Sequence, residues 1–248
     1  MQNNLKENER IEDIQFNNLK LIQNPNWFCY GIDAVLIAKF CDVKKGWCGV
    51  DLGTGTGIIP LLLSAKNMRE IIGIEIQDEV ADMAKRSVEI NGLEDRIKIL
   101  NIDMNKACQY IKPYSMDMVI SNPPYMAKNE GLINDEDIKA ISRHEIKASL
   151  ENVISTANDL LKDRGHFYLV HRPHRLVDIL YLCRKYRLEP KRIRFVHPQK
   201  NKKPNILLLH CTKYGKPELK FLDPLYVYKE DGTYTDEIYQ IYERENEN

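Results

Sequence analysis

Short apolar runs alternate with segments of helical periodicity along most of the chain. Near-continuous apolar strands separated by helices are typical of a mostly parallel sheet that is covered on both faces. We therefore predict an α/β fold with a seven-stranded, mostly parallel sheet and helices on both faces. The seven runs that predict strands span residues 48–52, 70–76, 96–102, 117–121, 165–171, 192–197 and 205–211.

The connection between the last two predicted strands is short and contains Pro198, Asn201 and Pro204. A parallel pair needs a dozen or more connecting residues, so this pair is predicted to form an antiparallel hairpin at the edge of the sheet. Helices are predicted at 57–66, at 77–91 with an Asn-Gly cap, and from residue 150 to a stop at Gly165.

The two ends of the chain carry smaller signals. Residues 18–23 read as a strand, and Asp33 is a candidate cap for a helix that ends at Phe40. Near the carboxyl end, Asp231-Gly232 predicts a hairpin, and Thr235 is a candidate cap for a terminal helix. We expect an N-terminal cap at 1–45, a core domain at 46–213 and a C-terminal extension at 214–248.

A glycine-rich loop, "VDLGTGTG" at 50–57, follows the first core strand and opens a helix. Glycine allows positive φ and a close approach of the backbone to a ligand. Dinucleotide-binding loops place their third glycine one residue later, to seat a pyrophosphate. Asp51 would repel such a group but suits a positively charged amino group, because opposite charges attract.

Two further carboxylates follow the next two strands. Glu75 ends the second core strand, where it suits a ribose diol, and Asp103 with Met104 follows the third. Each acid alone is better explained as a helix cap or a first-turn acid. Three acids at successive strand ends beside a glycine loop indicate a nucleoside ligand.

These residues, together with Asn122–Tyr125, resemble the Rossmann-like methyltransferases that use S-adenosylmethionine. The resemblance implies that the glycines flank the methionine part of the cofactor and that the first acid meets its amino group. It implies that the second acid holds the ribose, and that the third acid with the next backbone N–H meets the adenine. The corresponding residues here are Gly53, Gly55, Gly57, Asp51, Glu75, Asp103 and Met104.

The tetrad "NPPY" (Asn122, Pro123, Pro124 and Tyr125) follows the fourth core strand. An amide oxygen and the Pro123 carbonyl can both accept hydrogen bonds from a planar amino group, whose nitrogen is otherwise a poor nucleophile. The prolines fix the direction of that carbonyl, and Tyr125 can stack on the substrate plane. The tetrad resembles the catalytic motif of enzymes that methylate adenine N6, guanine N2 or glutamine N5, and it does not separate them.

Over the whole chain the sequence most resembles the tRNA (adenine-37-N6)-methyltransferases that act on a valine tRNA. The resemblance rests on residues 21–40, "NPPY", "SRHE" at 142–145 and "KKPNILLL" at 202–209. It implies methylation of adenine N6 in structured RNA. A protein N5-glutamine methyltransferase, an rRNA guanine-N2 methyltransferase and a non-catalytic RNA-binding module remain as alternatives.

Charge adds a nucleic-acid partner to this picture. The chain has 36 basic and 36 acidic residues, yet residues 172–220 hold 14 Lys or Arg against 3 Asp or Glu. A basic face of this kind suits a polyanionic partner, and a solvated helix face with loop lysines is the alternative. The resemblance implies that the partner is RNA, specifically tRNA. Residues 221–248 reverse the balance, with 2 basic against 8 acidic residues.

Composition also excludes several classes of protein. The six cysteines show no CxxC pair or zinc-like spacing, so we expect reduced thiols and no metal site. No apolar run approaches the roughly 20 residues of a membrane helix, and no signal peptide is visible. We expect a cytoplasmic enzyme, with no stable protein partner implied.

Overall fold

The computed structural model describes residues 5–14, 16–27, 29–124 and 149–242. The strands are β1 (Arg10–Asp13), β2 (Lys20–Gln23), β3 (Cys48–Leu52), β4 (Glu70–Glu75), β5 (Ile97–Asn101), β6 (Met116–Ser121), β7 (Leu161–His171), β8 (Leu188–His197), β9 (Ile206–Lys213), β10 (Lys220–Phe221) and β11 (Leu225–Tyr226). The helices are α1 (Ile32–Phe40), α2 (Ile58–Ser64), α3 (Asp78–Ile90), α4 (Ala107–Tyr110), α5 (Leu150–Leu160), α6 (Leu176–Lys185) and α7 (Asp236–Ile241).

One large sheet organises the molecule, with the strand order β10-β8-β9-β7-β6-β3-β4-β5 and with β11 also paired to β8. The five strands from β5 to β7 run parallel to one another. β9 lies antiparallel between β7 and β8. The predicted fold class and the antiparallel hairpin are confirmed.

The sheet in the described residues has nine strands rather than the seven predicted. The additional strands, β10 and β11, have two residues each and run parallel to β8. A segment of two residues is too short to show the alternation of apolar and polar residues that identifies a strand in a sequence. Their strand geometry comes from the backbone groups that β8 offers.

Both faces of the sheet are buried, as neighbouring residues of the central strands show. In β6, Met118 and Ile120 pack with α1, α2 and α7 on one face. Val119, which lies between them in the chain, packs with α4, α5 and α6 on the other. Successive strand residues point to opposite faces, so a strand buried on both sides must be apolar throughout.

A two-stranded antiparallel hairpin, β1-β2, docks on α3 outside the main sheet. Ile22 donates a backbone hydrogen bond to Ser87 Oγ (2.9 Å), and Lys20 donates one to Asn91 Oδ1 (2.9 Å). Arg86 of α3 also donates to both carboxylate oxygens of Glu9 (2.7 and 2.6 Å). The segment before the core is therefore anchored by hydrogen bonds to a core helix.

Three local predictions about helix ends need correction. Gly31, not Asp33, is the N-cap of α1, and Asp33 lies in its first turn. α5 ends at Leu160, five residues before Gly165, because the chain passes directly into β7. Thr235 is the N-cap residue of α7, but its hydroxyl donates to Tyr226 O (2.7 Å) instead of capping the helix.

Candidate active site

Four parallel strands end at the same edge of the sheet and bring the predicted site residues together. Leu52 of β3 pairs with Ser121 of β6 and with Ile74 of β4, one residue before Glu75. Ser121 Oγ donates to Leu52 O (2.7 Å), which ties the ends of β3 and β6. Asn122 therefore leaves the sheet beside the start of the glycine loop.

The glycine loop turns sharply through three residues of positive φ. Gly53, Gly55 and Gly57 have φ values of +75°, +57° and +89°, which residues with a side chain rarely adopt. A Cβ built on Gly53 or Gly55 would meet no atom within 4 Å of the described structure. These two glycines thus present bare backbone to open space, where a ligand can approach closely.

Asp51 is fully buried at the foot of this loop. Among the described residues, neither of its carboxylate oxygens nor the Thr54 hydroxyl has a hydrogen-bond partner. Burial raises the pKa of Asp51 to about 7; the nearby Thr54 hydroxyl partly opposes the rise, and the charge of Glu75 adds to it. Buried acceptors of this kind are costly unless a ligand satisfies them. A positively charged amino group fits, so the residues suit the cofactor that the sequence indicates.

Glu75 is also buried, but its carboxylate is held by the backbone. Its Oε2 accepts from Gly55 N (3.1 Å), and its Oε1 accepts from Ile76 N (2.9 Å) and Gln77 N (3.0 Å). These bonds join the glycine loop to the end of β4. They fix the carboxylate and leave further lone pairs to accept from hydroxyl groups.

Asp103 and Met104 follow β5 at the same edge. Asp103 Oδ1 accepts from Asn105 N (2.9 Å) and Asn105 Nδ2 (2.8 Å), which caps a short 3₁₀ helix. Met104 is half-buried and packs against the hydrophobic core under α4 and α5. The cap explanation for this acid therefore holds structurally, and its second carboxylate oxygen remains able to accept a hydrogen bond.

Asn122 is half-buried, Pro123 is buried and Pro124 is exposed, directly after β6. Tyr125, the fourth residue predicted to be catalytic, lies outside the described residues. The register of β6 against β3, in which Ile120 pairs with Asp51, places the three described residues next to the cofactor candidates. The structure thus joins the two motifs at one edge.

Sequence reasoning did not single out Thr54 or Gly73. Thr54 is buried beside Asp51, and the polar residue between two glycines was the available signal. A Cβ on Gly73 would lie 2.9 Å from the Thr54 side chain and 2.8 Å from Ile99 Cδ1. A glycine inside a strand often marks such a close approach. Gly73 therefore leaves the space that Thr54 occupies.

The described parts of the chain show neither a metal-binding cluster nor a membrane-spanning helix. No group of three or more His, Cys, Asp or Glu side chains there is arranged to hold a metal ion. None of the helices in those segments has the length and apolar character needed to cross a bilayer.

Comparison with known proteins agrees with this geometry. The family model "Methyltransferase small domain" matches residues 18–180. A tRNA1(Val) (adenine(37)-N6)-methyltransferase from Pedobacter heparinus is 27% identical over 206 residues, which is 82% of this chain and 85% of that protein. A protein of the same name from Bacteroides thetaiotaomicron is 30% identical over 142 residues, 56% of this chain and 58% of that protein.

Among solved structures, a predicted O-methyltransferase from Agrobacterium tumefaciens superposes with a TM-score of 0.70. It is 22% identical, and the match covers 85% of this chain and 95% of that one, so the fold is shared. The family resemblance of the sequence motifs is confirmed. The chain belongs to the methyltransferase small domain family and is an S-adenosylmethionine-dependent methyltransferase.

Proposed function

We propose that this enzyme methylates the exocyclic N6 of an adenine in structured RNA, and that the substrate is adenine 37 of a tRNA. The observation that carries the proposal is the position of Asn122, Pro123 and Pro124 beside Asp51, at the edge where the glycine loop opens. The names of the curated relatives support the choice of tRNA and of adenine 37.

In this proposal the cofactor is held by the residues that the three parallel strands deliver. Asp51 binds the positively charged amino group, and the backbone of Gly53, Gly55 and Gly57 approaches the methionine part. Glu75 accepts from the ribose hydroxyls. Asp103 and the backbone N–H of Met104 bind the adenine ring.

The reaction needs an amino nitrogen with its lone pair available. S-adenosylmethionine, when bound, supplies an electrophilic methyl group on a positively charged sulfur. Asn122 Oδ1 and the Pro123 carbonyl accept the two N–H groups of the substrate, which orients the amino group and raises electron density on nitrogen. The proline pair holds that carbonyl in place before the substrate arrives, so little reorganisation is needed. The proton released by the methylated nitrogen passes to water.

The proposal extends to the surroundings of the enzyme. RNA binds through the basic 172–220 region, and the protein works in the cytoplasm. The segments 1–45, 46–213 and 214–248 act as cap, catalytic domain and extension. Packing of the β1-β2 hairpin on α3 supports a cap that folds onto the core.

The deciding experiment is a product analysis. The protein is incubated with isotope-labelled S-adenosylmethionine and total RNA, and the RNA is digested and analysed by mass spectrometry. We expect labelled N6-methyladenosine in the tRNA fraction, mapped to position 37 by sequencing of the labelled tRNA. Label in N2-methylguanosine, or in added release-factor protein instead of RNA, would overturn the proposed substrate.

A further inference from the structure

The excess of basic residues at 172–220 is unevenly available in the folded chain. Seven of the 14 form ion pairs: Arg175, Arg184, Lys185, Lys191, Arg192, Arg194 and Lys220. Lys213 is buried, and its ammonium donates to two backbone carbonyls. By contrast, Lys200, Lys202 and Lys203 are exposed and form no ion pair with any residue that the structure describes. Arg187 and Lys216 are likewise exposed without an ion pair to any described residue, but they lie before β8 and after β9, at the opposite edge of the sheet, whereas the β8-β9 loop holds three such side chains within four residues.

This loop lies at the edge of the sheet that carries Asn122. β9 is antiparallel to both β7 and β8, so β7 and β8 run in the same direction and end at the same edge. Arg172, just after β7, donates to Asn205 O of the loop (2.9 Å). With strands about 4.8 Å apart, the end of β8 lies about 14 Å from the end of β6.

The acidic C-terminal segment adds a hairpin to the same edge. β11 pairs with the end of β8, and Tyr228 N then donates to Pro198 O (2.8 Å). Gln199 Nε2 donates to Lys229 O (3.2 Å), which joins the hairpin to the β8-β9 loop, called the lysine loop below. Two acids of this segment are paired with basic residues, Asp236 with Lys229 and Glu237 with Arg194, and Asp231 accepts from Thr233 N. Within the described residues these acids form no ion pair with Lys200, Lys202 or Lys203.

Tyr228 is an exposed aromatic residue whose ring is held by stacking on other tyrosines. It stacks on Tyr234, with ring centroids 5.2 Å apart and planes at 14°, and Tyr234 in turn stacks on Tyr242. Yet Tyr228 remains 39% exposed at the open end of this column. A ring held by stacking from behind and bordered by free lysines has the character of a surface that binds single-stranded nucleic acid.

We infer that Tyr228 is a stacking platform for an unpaired base of the substrate RNA, with Lys200, Lys202 and Lys203 on the adjoining phosphates. This inference rests on the proposed function, since it names how the RNA is held. Tyr228 lies about one strand beyond β8, or about 19 Å from the end of β6. That separation equals five to six stacked nucleotides at ~3.4 Å each. The stacked base is therefore not the one that is methylated, but a neighbour in the same strand.

A pair of probes tests stacking separately from charge. Fluorescence anisotropy at low salt measures the affinity for a short labelled oligoadenylate and for an abasic oligonucleotide of equal length. We expect Tyr228→Ala to weaken oligoadenylate binding by about 5- to 150-fold, which corresponds to the stacking of one base. Binding of the abasic oligonucleotide should change less than twofold. Tyr228→Phe should retain the affinity of the wild type.

Tyr181→Ala provides the matched control, because Tyr181 is an exposed tyrosine on α6 outside this surface. Its affinity for both probes should equal that of the wild type. Equal affinity of Tyr228→Ala and wild type for oligoadenylate would overturn the inference. So would an equal loss on both probes, since the ring would then only support the lysine loop.

A measurement on the wild type avoids any effect of the variants on folding. Photocrosslinking to tRNA that carries 5-iodouridine, followed by peptide mapping, should give an adduct at Tyr228. Adducts confined to other aromatic residues would contradict the inference. The outcomes also separate the two proposals. If Tyr228→Ala loses oligoadenylate binding but the wild type methylates no RNA, the stacking platform stands and the proposed function is wrong. Normal binding and tRNA methylation by Tyr228→Ala would remove the platform alone.

Discussion

At the scale of single residues, the carboxylate of Asp51 is costly to the folded protein in the absence of a ligand. It is fully buried and, within the described residues, unpaired. Burial raises the pKa from 3.8 to about 7, so near neutral pH the folded protein carries a charge that it stabilises poorly. The same charge suits the amino group of the cofactor.

We therefore expect Asp51→Asn to stabilise the protein without cofactor. Above pH 7 the folded wild type must ionise a group whose pKa is raised, and this cost is lost as pH falls from about 7 towards 3.8. The free energy of unfolding of the variant should exceed that of the wild type by up to about 4 kcal/mol at pH 8. The gain should shrink at pH 5. Urea denaturation at both pH values measures it.

The same variant should bind S-adenosylmethionine at least about tenfold more weakly at pH 8, since a buried charge pair is lost. Isothermal titration calorimetry measures this affinity. A variant that is more stable and binds normally would mean that Asp51 faces something other than the cofactor.

Asn122 should behave in the opposite way, since the proposed mechanism assigns it to the substrate and not to the cofactor. For Asn122→Ala we expect cofactor affinity within twofold of the wild type and a kcat lower by about 10²- to 10³-fold, the usual cost of one lost oriented group. Methyl transfer to tRNA under saturating cofactor gives kcat. A kcat near that of the wild type would refute the role assigned to Asn122.

At the scale of elements, the sequence predicted those helices, strands and turns whose formation depends on residues close together in the chain. The glycine loop and the α3 cap at Asn91-Gly92 follow from backbone needs within a few residues, and both are present. β10 and β11 could not be foreseen, because two-residue strands arise only from pairing with β8. The prediction that the Thr235 side chain caps α7 was wrong, because its hydroxyl donates to the backbone carbonyl of Tyr226 instead. For the site, the positions of the strand ends in the sequence predicted which residues lie together. They did not predict that Thr54 is buried next to Asp51.

The β1-β2 hairpin offers a test of how an element outside the sheet is attached. The side chains of Arg86 and Glu9 are 12% and 5% exposed, so their pair is shielded from water. Removing it by Arg86→Ala should lower the free energy of unfolding by about 2–3 kcal/mol, as expected for hydrogen bonds between charged groups. Amide exchange in β1 and β2 should rise more than exchange in β6.

The control is Lys6→Ala. Lys6 pairs with Asp82, but its side chain is 63% exposed, and exposed pairs contribute about 0–1 kcal/mol. Unchanged exchange in β1 and β2 of Arg86→Ala would show that apolar contacts, not this pair, hold the hairpin on α3.

At the scale of the whole molecule, net charge describes the protein poorly. Acids from distant parts of the chain neutralise much of the basic region: Asp42 pairs with Arg192, Glu151 with Lys185, and Glu237 with Arg194. The sequence count could not anticipate this, because the pairs join residues that are far apart in the chain. At the edge of the sheet that carries Asn122, the three lysines of the β8-β9 loop stay exposed and form no ion pair with any described residue.

Reversing the three loop lysines tests whether this edge meets the RNA backbone. The triple change of Lys200, Lys202 and Lys203 to Glu should weaken tRNA binding and flatten its salt dependence. Each phosphate contact contributes about 0.7–0.9 to the slope of log K against log salt, so the slope should fall by about 2–3. The control reverses Lys44, Lys45 and Lys112, three exposed lysines that lie at the opposite edge of the sheet and outside residues 172–220. Both variants carry the same net charge. If long-range charge alone governed binding, they would lose affinity equally, and the lysine loop would have no specific role.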